Sequence, residues 1–292
     1  MPKGDAAGAA RERLAGIVLI ALSAIAFGAV DGLSKMVVAS ASPAQIVWAR
    51  YALAIPFLLL ATPPRTWLAL ARSPVPRLQL ARGVVPLFVS FGMVLGVQHL
   101  PLADTTVILY LAPLLVVALS APLLKERVHR SNWLAVVAGF LAVLLVARPG
   151  FSALSQYAVY PLVAAVFYAL QQILTRRLMD EPPRRTLAWT LACGAVITTP
   201  FAIVSWHELA PDTMLLLLAL GAVFGIAQLT HIAGLARAPA ALVAPLAYVQ
   251  IIAAVGFGYV LFGELPDALS IVGIAMIIGA GLYVVQQRRR AG

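Results

Sequence analysis

The chain is poor in charge. Asp, Glu, Lys and Arg make up 11% of its 292 residues, against about 25% in soluble domains, and this deficit excludes a water-soluble fold. There is one cysteine, Cys193, inside an apolar run. A lone thiol forms no intrachain disulfide, and no His/Cys cluster has metal-ligand spacing, so Cys193 reads as packing and no metal site is expected. A GxxxxGK(S/T) loop is missing, so ATP is not the direct energy source within this polypeptide. GxSxG, HExxH and acid-rich metal motifs are missing as well. An enzyme acting on membrane lipid would therefore lack its nucleophile, base or metal, and no cofactor is expected. Nothing alternates with period two, so spanning strands are not indicated.

What the chain has is apolar length. Hydrophobic residues are 62% of it, and a bilayer core takes roughly 20 of them per helix. Ten runs fit, near 14–38, 43–61, 78–98, 102–123, 131–147, 154–176, 186–206, 212–235, 239–262 and 267–286. Short loops marked by Pro, Gly or Arg separate them. The first run continues past the roughly 7–15 residues of a secretory signal, without a clean cleavage site, and reads as a retained helix.

The net charge of +10 does not point to nucleic acid, because the basic residues sit in short loops where membrane orientation accounts for them. With the N-terminus in the cytoplasm, the cytoplasmic segments collect Lys3, Arg11, Arg13, Arg65, Arg72, Arg77, Arg82, Lys125, Arg127, Arg130, Arg176, Arg177, Arg184, Arg185, Arg237 and Arg288 to Arg290. That is 18 of the 21 Lys and Arg, which predicts both termini cytoplasmic in a multi-pass inner-membrane protein. The basic helix ends read as anchors to lipid headgroups.

One stretch occurs twice. Gly96 to Glu126 and Gly234 to Glu264 align without a gap at an offset of 138 residues, matching Gly96/Gly234, Pro101/Pro239, Ala103/Ala241, Tyr110/Tyr248, Val117/Val255, Leu123/Leu261 and Glu126/Glu264. The chain is thus read as two five-helix halves, 1–147 and 148–292. Five is odd, so the second half enters the membrane upside down, with Glu126 on the cytoplasmic side and Glu264 on the outer side. Inverted repeats let a central site open to each face in turn. The expected fold is all-α and integral to the membrane: ten transmembrane helices as two inverted repeats around a central cavity.

Pro101, Ala103, Pro113 and the Lys125-Glu126-Arg127 helix end, repeated as Pro239, Ala241, Pro245, Tyr248, Gln250 and Gly263-Glu264, resemble the EamA-type branch of the drug/metabolite transporter superfamily. Pro113 keeps the branch's proline thirteen residues before the Glu; Ile251 replaces it in the second copy and leaves the bend of the ninth helix open. The resemblance implies a secondary transporter of small metabolites, and among members the chain is similar to bacterial amino-acid exporters. Export of drugs or other metabolites is the alternative. A monomer is expected, since two halves already enclose a cavity.

Charges inside helices need a partner or a cavity. Asp31 lies nine residues before the turn at Ser40 to Ser42, and Arg50 eight after it. Antiparallel helices then place both about 12 Å deep at 1.5 Å per residue, and a salt bridge is predicted. Lys35 follows Asp31 by one turn on the same face, in acid-first order. These three charges read as a structural cluster joining the first two helices, or as a coupling or substrate-binding group. The candidate substrate-binding residues are Tyr110, Tyr168, Gln171, Gln228, His231, Tyr248 and Gln250, with Gln172 beside them. Buried amides and phenols must be hydrogen-bonded or wet, and aromatic walls with a few amides suit a small amphipathic metabolite. The GxxxG pairs Gly28/Gly32, Gly92/Gly96 and Gly221/Gly225 predict close packing within the chain, and Pro56, Pro86, Pro113, Pro200 and Pro245 mark possible bends.

Overall fold

The computed structural model describes residues 3–116, 118, 130–147, 153–238 and 246–291. Every regular element among them is helical. In chain order these are α1 (Lys3–Val37), α2 (Pro43–Ala52), α3 (Ala54–Leu60), α4 (Trp67–Ala71), α5 (Pro76–His99), α6 (Leu102–Leu109), α7 (Arg130–Ala147), α8 (Val159–Arg177), α9 (Pro183–Val204), α10 (Pro211–Arg237), α11 (Val249–Phe262) and α12 (Ala268–Ala291), with short 3₁₀ turns at Pro64–Thr66 and Ala153–Ala158. Six segments are long and apolar enough to cross a membrane: Arg11–Val37, Pro43–Leu60, Pro76–His99, Gln156–Arg177, Pro183–Val204 and Pro211–Arg237. Shorter apolar helices, Leu102–Val116, Trp133–Ala147, Val249–Phe262 and Ala268–Val284, fall on the other four runs. Large apolar side chains face outward on many of these helices, among them Leu22, Leu134, Val204, Leu215 and Val260. Lipid, not water, suits such a surface, and the chain is a multi-pass membrane protein. Glu126, Lys125, Arg127, Pro239, Ala241 and Pro245 lie outside the described residues.

Local chemistry sets the helix ends. Pro43, Pro76, Pro183 and Pro211 open α2, α5, α9 and α10, where a missing N–H is harmless. Ser42 and Gln45 form a reciprocal capping box at α2. Gly263 closes α11 in the left-handed region, at φ 68°, which a residue with a Cβ rarely adopts.

Three apolar runs are broken inside. The second breaks at Leu53, three residues before Pro56. The fourth breaks at Tyr110 and Leu111, directly after the carbonyl of Leu109 that the Pro113 ring would strike in a continuous helix. The ninth breaks at Tyr248, the repeat counterpart of Tyr110, and Ile251 N–H reaches back to Tyr248 O at 3.0 Å. The bend left open by Ile251 is therefore present without a proline at that position. Pro86 and Pro200 stand within α5 and α9, which run on through them.

The packing partners exchange when the two halves are exchanged. α1 packs on α10 as α8 packs on α5; α1 meets α11 as α8 meets α6; α5 meets α9 as α10 meets α2. The pairs α2/α9, α6/α11 and α7/α12 are their own counterparts. Lipid offers little hydrophobic drive between helices, so close backbone approach carries the packing. A Cβ added at Gly92 would lie 2.6 Å from Tyr160 O and 2.9 Å from Ala164 Cβ; one at Gly221 would lie 2.6 Å from Leu53 Cβ. Both contacts are within the chain, as the GxxxG reading expects. Buried Cys193 also packs: its Sγ lies 2.8 Å from where a Cβ on Gly83 would stand.

Gly92→Val drives carbon into the Tyr160 carbonyl and should destabilise the fold by about 1–3 kcal/mol, read as a lowered thermal midpoint in detergent. Gly256, with nothing within 4 Å of an added Cβ, should accept Ala with no loss. Equal midpoints for both variants would contradict this packing.

Candidate substrate site

The breaks and the close helix contacts leave a cavity in the middle of the bundle. Its wall takes Phe27 and Asp31 from α1, Arg50 from α2, Ser90 and Met93 from α5, Tyr168 and Gln171 from α8, Phe224 and Gln228 from α10, and Gln250 from α11. About 40 Å³ is open to the centre of a water molecule. One water needs about 10–15 Å³ on that measure, so the space holds a few waters and no metabolite. At that volume the cavity is narrow.

A chain of hydrogen bonds crosses this wall. Arg50 Nη2 donates to Asp31 Oδ1 at 3.3 Å and to Ser34 Oγ at 2.7 Å. Gln250 Nε2 donates to the other Asp31 oxygen at 3.3 Å, and Tyr110 Oη donates to Gln250 Oε1 at 3.0 Å. The network ties α1, α2, the break in the fourth run and α11 together. Asp31 and Arg50 are 4% and 3% exposed, so each charge depends on the other for its solvation. The ion pair is a single contact, and Arg50 Nε has no hydrogen-bond partner among the described residues. Next to it, Tyr51 Oη and Ser90 Oγ lie 2.9 Å apart and join α2 to α5.

The expected site residues separate into groups. Tyr168, Gln171, Gln228 and Gln250 line the cavity with Asp31 and Arg50. Tyr110 stands one hydrogen bond behind Gln250, and its ring is 5.4 Å from that of Tyr248. Tyr248 is held away from the cavity wall, with its hydroxyl against Gly281. His231 is also set back: its Nε2 is 3.2 Å from Gln172 Oε1, and its ring meets Phe27 edge-on at 6.0 Å.

Lys35 does not join the Asp31 cluster. Its Nζ bonds to Glu264 Oε1 and to Leu100 O, the latter at 3.1 Å. Glu264 Oε2 accepts from Leu102 N–H at 3.1 Å, at the positive N-terminus of α6. The lysine stem reaches past its own helix to a half-buried carboxylate 229 residues away in sequence. The ionic cluster expected to hold only the first two helices is thus two devices, one central and one at the bundle's end.

Arg82 is the residue sequence reasoning misplaced. Counted with the loop charges, it stands in the second turn of α5 and is fully buried. Nε donates to Thr175 Oγ1 at 3.2 Å, Nη1 donates to Thr190 Oγ1, and Nη2 reaches Gln228 Oε1 at 3.5 Å. The available signal was its distance from Arg77, five residues into an apolar run.

The family model described as the EamA-like transporter family matches residues 14–148 and 156–286. The chain is similar to the pseudopaline exporter CntI of Pseudomonas aeruginosa, at 29% identity over 280 residues, covering 94% of this chain and 97% of the relative. It is similar to the riboflavin transporter of Rhizobium johnstonii, at 24% over 283 residues, covering 94% and 92%. With the S-adenosylmethionine uptake transporter of Rickettsia prowazekii it shares 22% over 217 residues, or 74% of each chain. A solved crystal structure superposes with a TM-score of 0.61 at 20% identity, covering 97% of this chain and 99% of its own, which speaks to the fold alone.

Removing one member of the buried pair strands the other. Asp31→Asn and Arg50→Met should each destabilise the protein by about 3–5 kcal/mol. The double variant should recover much of that loss. A double-mutant cycle of thermal midpoints checks it, and simple additivity would show that the 3.3 Å contact carries no coupling.

Proposed function

The chain belongs to the EamA-like transporter family, and from that premise we propose that it is a secondary transporter working by alternating access in a bacterial inner membrane. As a member it is a small-molecule transporter and not an enzyme. The single observation that supports the access mechanism is the composition of the cavity wall: α1, α2 and α5 come from one half, and α8, α10 and α11 from the other. The exchange of packing partners between halves supports reading 1–147 and 148–292 as inverted repeats. Two such halves rocking against each other would open that wall first to one face and then to the other.

The narrow cavity must widen for any metabolite to enter. The breaks at Leu53, Tyr110 and Tyr248 are where helix segments can tilt without losing a continuous ladder of hydrogen bonds. At one end, the Lys35–Glu264 bridge joins α1, α11 and the start of α6. In this reading it is a latch on the outer face that parts when the cavity opens outward. Both termini then lie in the cytoplasm, an orientation supported by the loop charges that remain after Arg82 is removed from the count.

The proposed substrates are amino acids, moved outward. Asp31, Arg50 and the amides of Gln171, Gln228 and Gln250 suit a small molecule with both an ammonium and a carboxylate. Tyr110 sits behind them as a support. Tyr248 and His231, proposed with the same site, would act through Tyr110 and Gln172. The relatives favour a second reading, a larger organic metabolite, since their names include pseudopaline, S-adenosylmethionine and riboflavin and describe both export and uptake.

Counterflow in proteoliposomes with a labelled amino-acid panel, alongside riboflavin and S-adenosylmethionine, should show exchange without chemical change. Gln250→Leu, which cuts the links to Asp31 and Tyr110, should slow that exchange about tenfold, the effect of losing one charge-assisted hydrogen bond. Movement of the larger compounds alone would replace the amino-acid reading, and movement of nothing would remove the carrier reading. For the inversion, Ser40→Cys and Asp180→Cys in a Cys193→Ser background should react with an impermeant maleimide from opposite faces. Reaction from the same face overturns it.

A further inference from the structure

Among the described residues, two guanidinium groups are buried in the bundle, and one buried carboxylate is placed to answer them. Arg50 has Asp31. Arg82, with no exposed surface, has no carboxylate within salt-bridge distance among the described residues; its three acceptors are the uncharged oxygens of Thr175, Thr190 and Gln228. A buried charge held only by neutral groups leaves its Coulomb demand unmet.

The neutral acceptors are organised. Thr175 Oγ1 gives its own proton to Gln171 O at 2.7 Å, and Thr190 Oγ1 gives its proton to Thr186 O at 2.7 Å. Each hydroxyl therefore presents lone pairs to Arg82, and together they fix Nε and Nη1. The third contact differs: Nη2 meets Gln228 Oε1 at 3.5 Å, the outer limit for such a bond. Gln228 itself lines the cavity, as do Gln171 and Tyr168. The weakest bond of the guanidinium is thus the one toward the substrate space. A guanidinium has five N–H donors, so part of the fork has no partner in these contacts.

We propose that Arg82 is the recognition group for a carboxylate on the transported substrate. The carboxylate displaces the Gln228 amide from Nη2 and neutralises the unanswered charge, while Thr175 and Thr190 hold the fork in position. Asp31 lies elsewhere on the cavity wall and is left to the cationic end of a zwitterion. The inference rests on the carrier reading and narrows it to substrates bearing a carboxylate.

The test compares the twenty free L-amino acids with their carboxamides, on purified protein in detergent, by the rise in thermal midpoint that binding produces. In the wild type the acids should stabilise and the matching amides should bind at least about tenfold more weakly, as expected when a charge-assisted bond is lost. Arg82→Gln should erase the acid-over-amide preference. Arg82→Lys keeps the charge but loses the planar fork, so it should weaken the acid-over-amide preference without erasing it; it serves on its own if the glutamine variant does not fold. A merely structural arginine would lower the midpoint without touching the ratio. The proposal is overturned by equal binding of acids and amides, by a preference that survives in Arg82→Gln or is unchanged in strength in Arg82→Lys, or by a panel in which no acid binds. Counterflow of neutral compounds in the last case would leave the carrier reading standing.

Discussion

Asp31 is a carboxylate enclosed by a bundle whose outer surface faces lipid, and its two oxygens are shared between Arg50 and Gln250. Bulk water does not reach such a place, so the helices that carry the partners are obliged to meet at that depth. α1 and α2 meet there through the ion pair. α11 joins through Gln250, and the fourth run joins through Tyr110. Much of what surrounds the cavity is consistent with serving this one requirement. Ser34 takes the second proton from Arg50 Nη2, and Tyr51 and Ser90 close the gap between α2 and α5.

The same constraint divides the molecule into stiff and yielding parts. Where helices approach closely, as at Gly92 against Tyr160 or Gly221 against Leu53, the absence of a glycine side chain is what lets them pack. Where a run is broken, as at Tyr110 and Tyr248, the regular ladder gives way to short local bonds, such as Leu111 N–H to Ile108 O at 3.1 Å and Ile251 N–H to Tyr248 O at 3.0 Å. The two breaks occupy equivalent positions in the duplicated stretch, and their rings are in contact. The Lys35–Glu264 bridge couples the end of the bundle to the same helices, because α1 and α11 carry both it and the Asp31–Gln250 bond.

Depth was legible in the sequence and rotation was not. Counting back and forward from the turn at Ser40 to Ser42 put Asp31 and Arg50 on one level, because rise per residue is constant in a helix. The amides Gln171, Gln228 and Gln250 were legible as cavity candidates for a related reason: an amide in an apolar run must find polar company. Local spacing misled at Lys35, where the acid one turn away lost to a carboxylate brought in by α11. Charge counting misled at Arg82, because the orientation rule has no means of separating a loop arginine from one that has entered the helix. His231 meets Gln172 and Tyr248 packs against Tyr110, contacts that the sequence does not declare.

By itself the sequence determined that the protein lives in a membrane, how many apolar runs it has, that one stretch is used twice, and which family's pattern it carries. Those follow from length, composition and spacing, which survive any arrangement of the helices. Only the tertiary structure decided which polar groups meet, that the ninth run breaks without its proline, and that Arg82 is inside. Helices apolar on every side have no periodic face to declare their rotation. Their rotation is settled by which buried charges and small residues find one another once all the helices are packed.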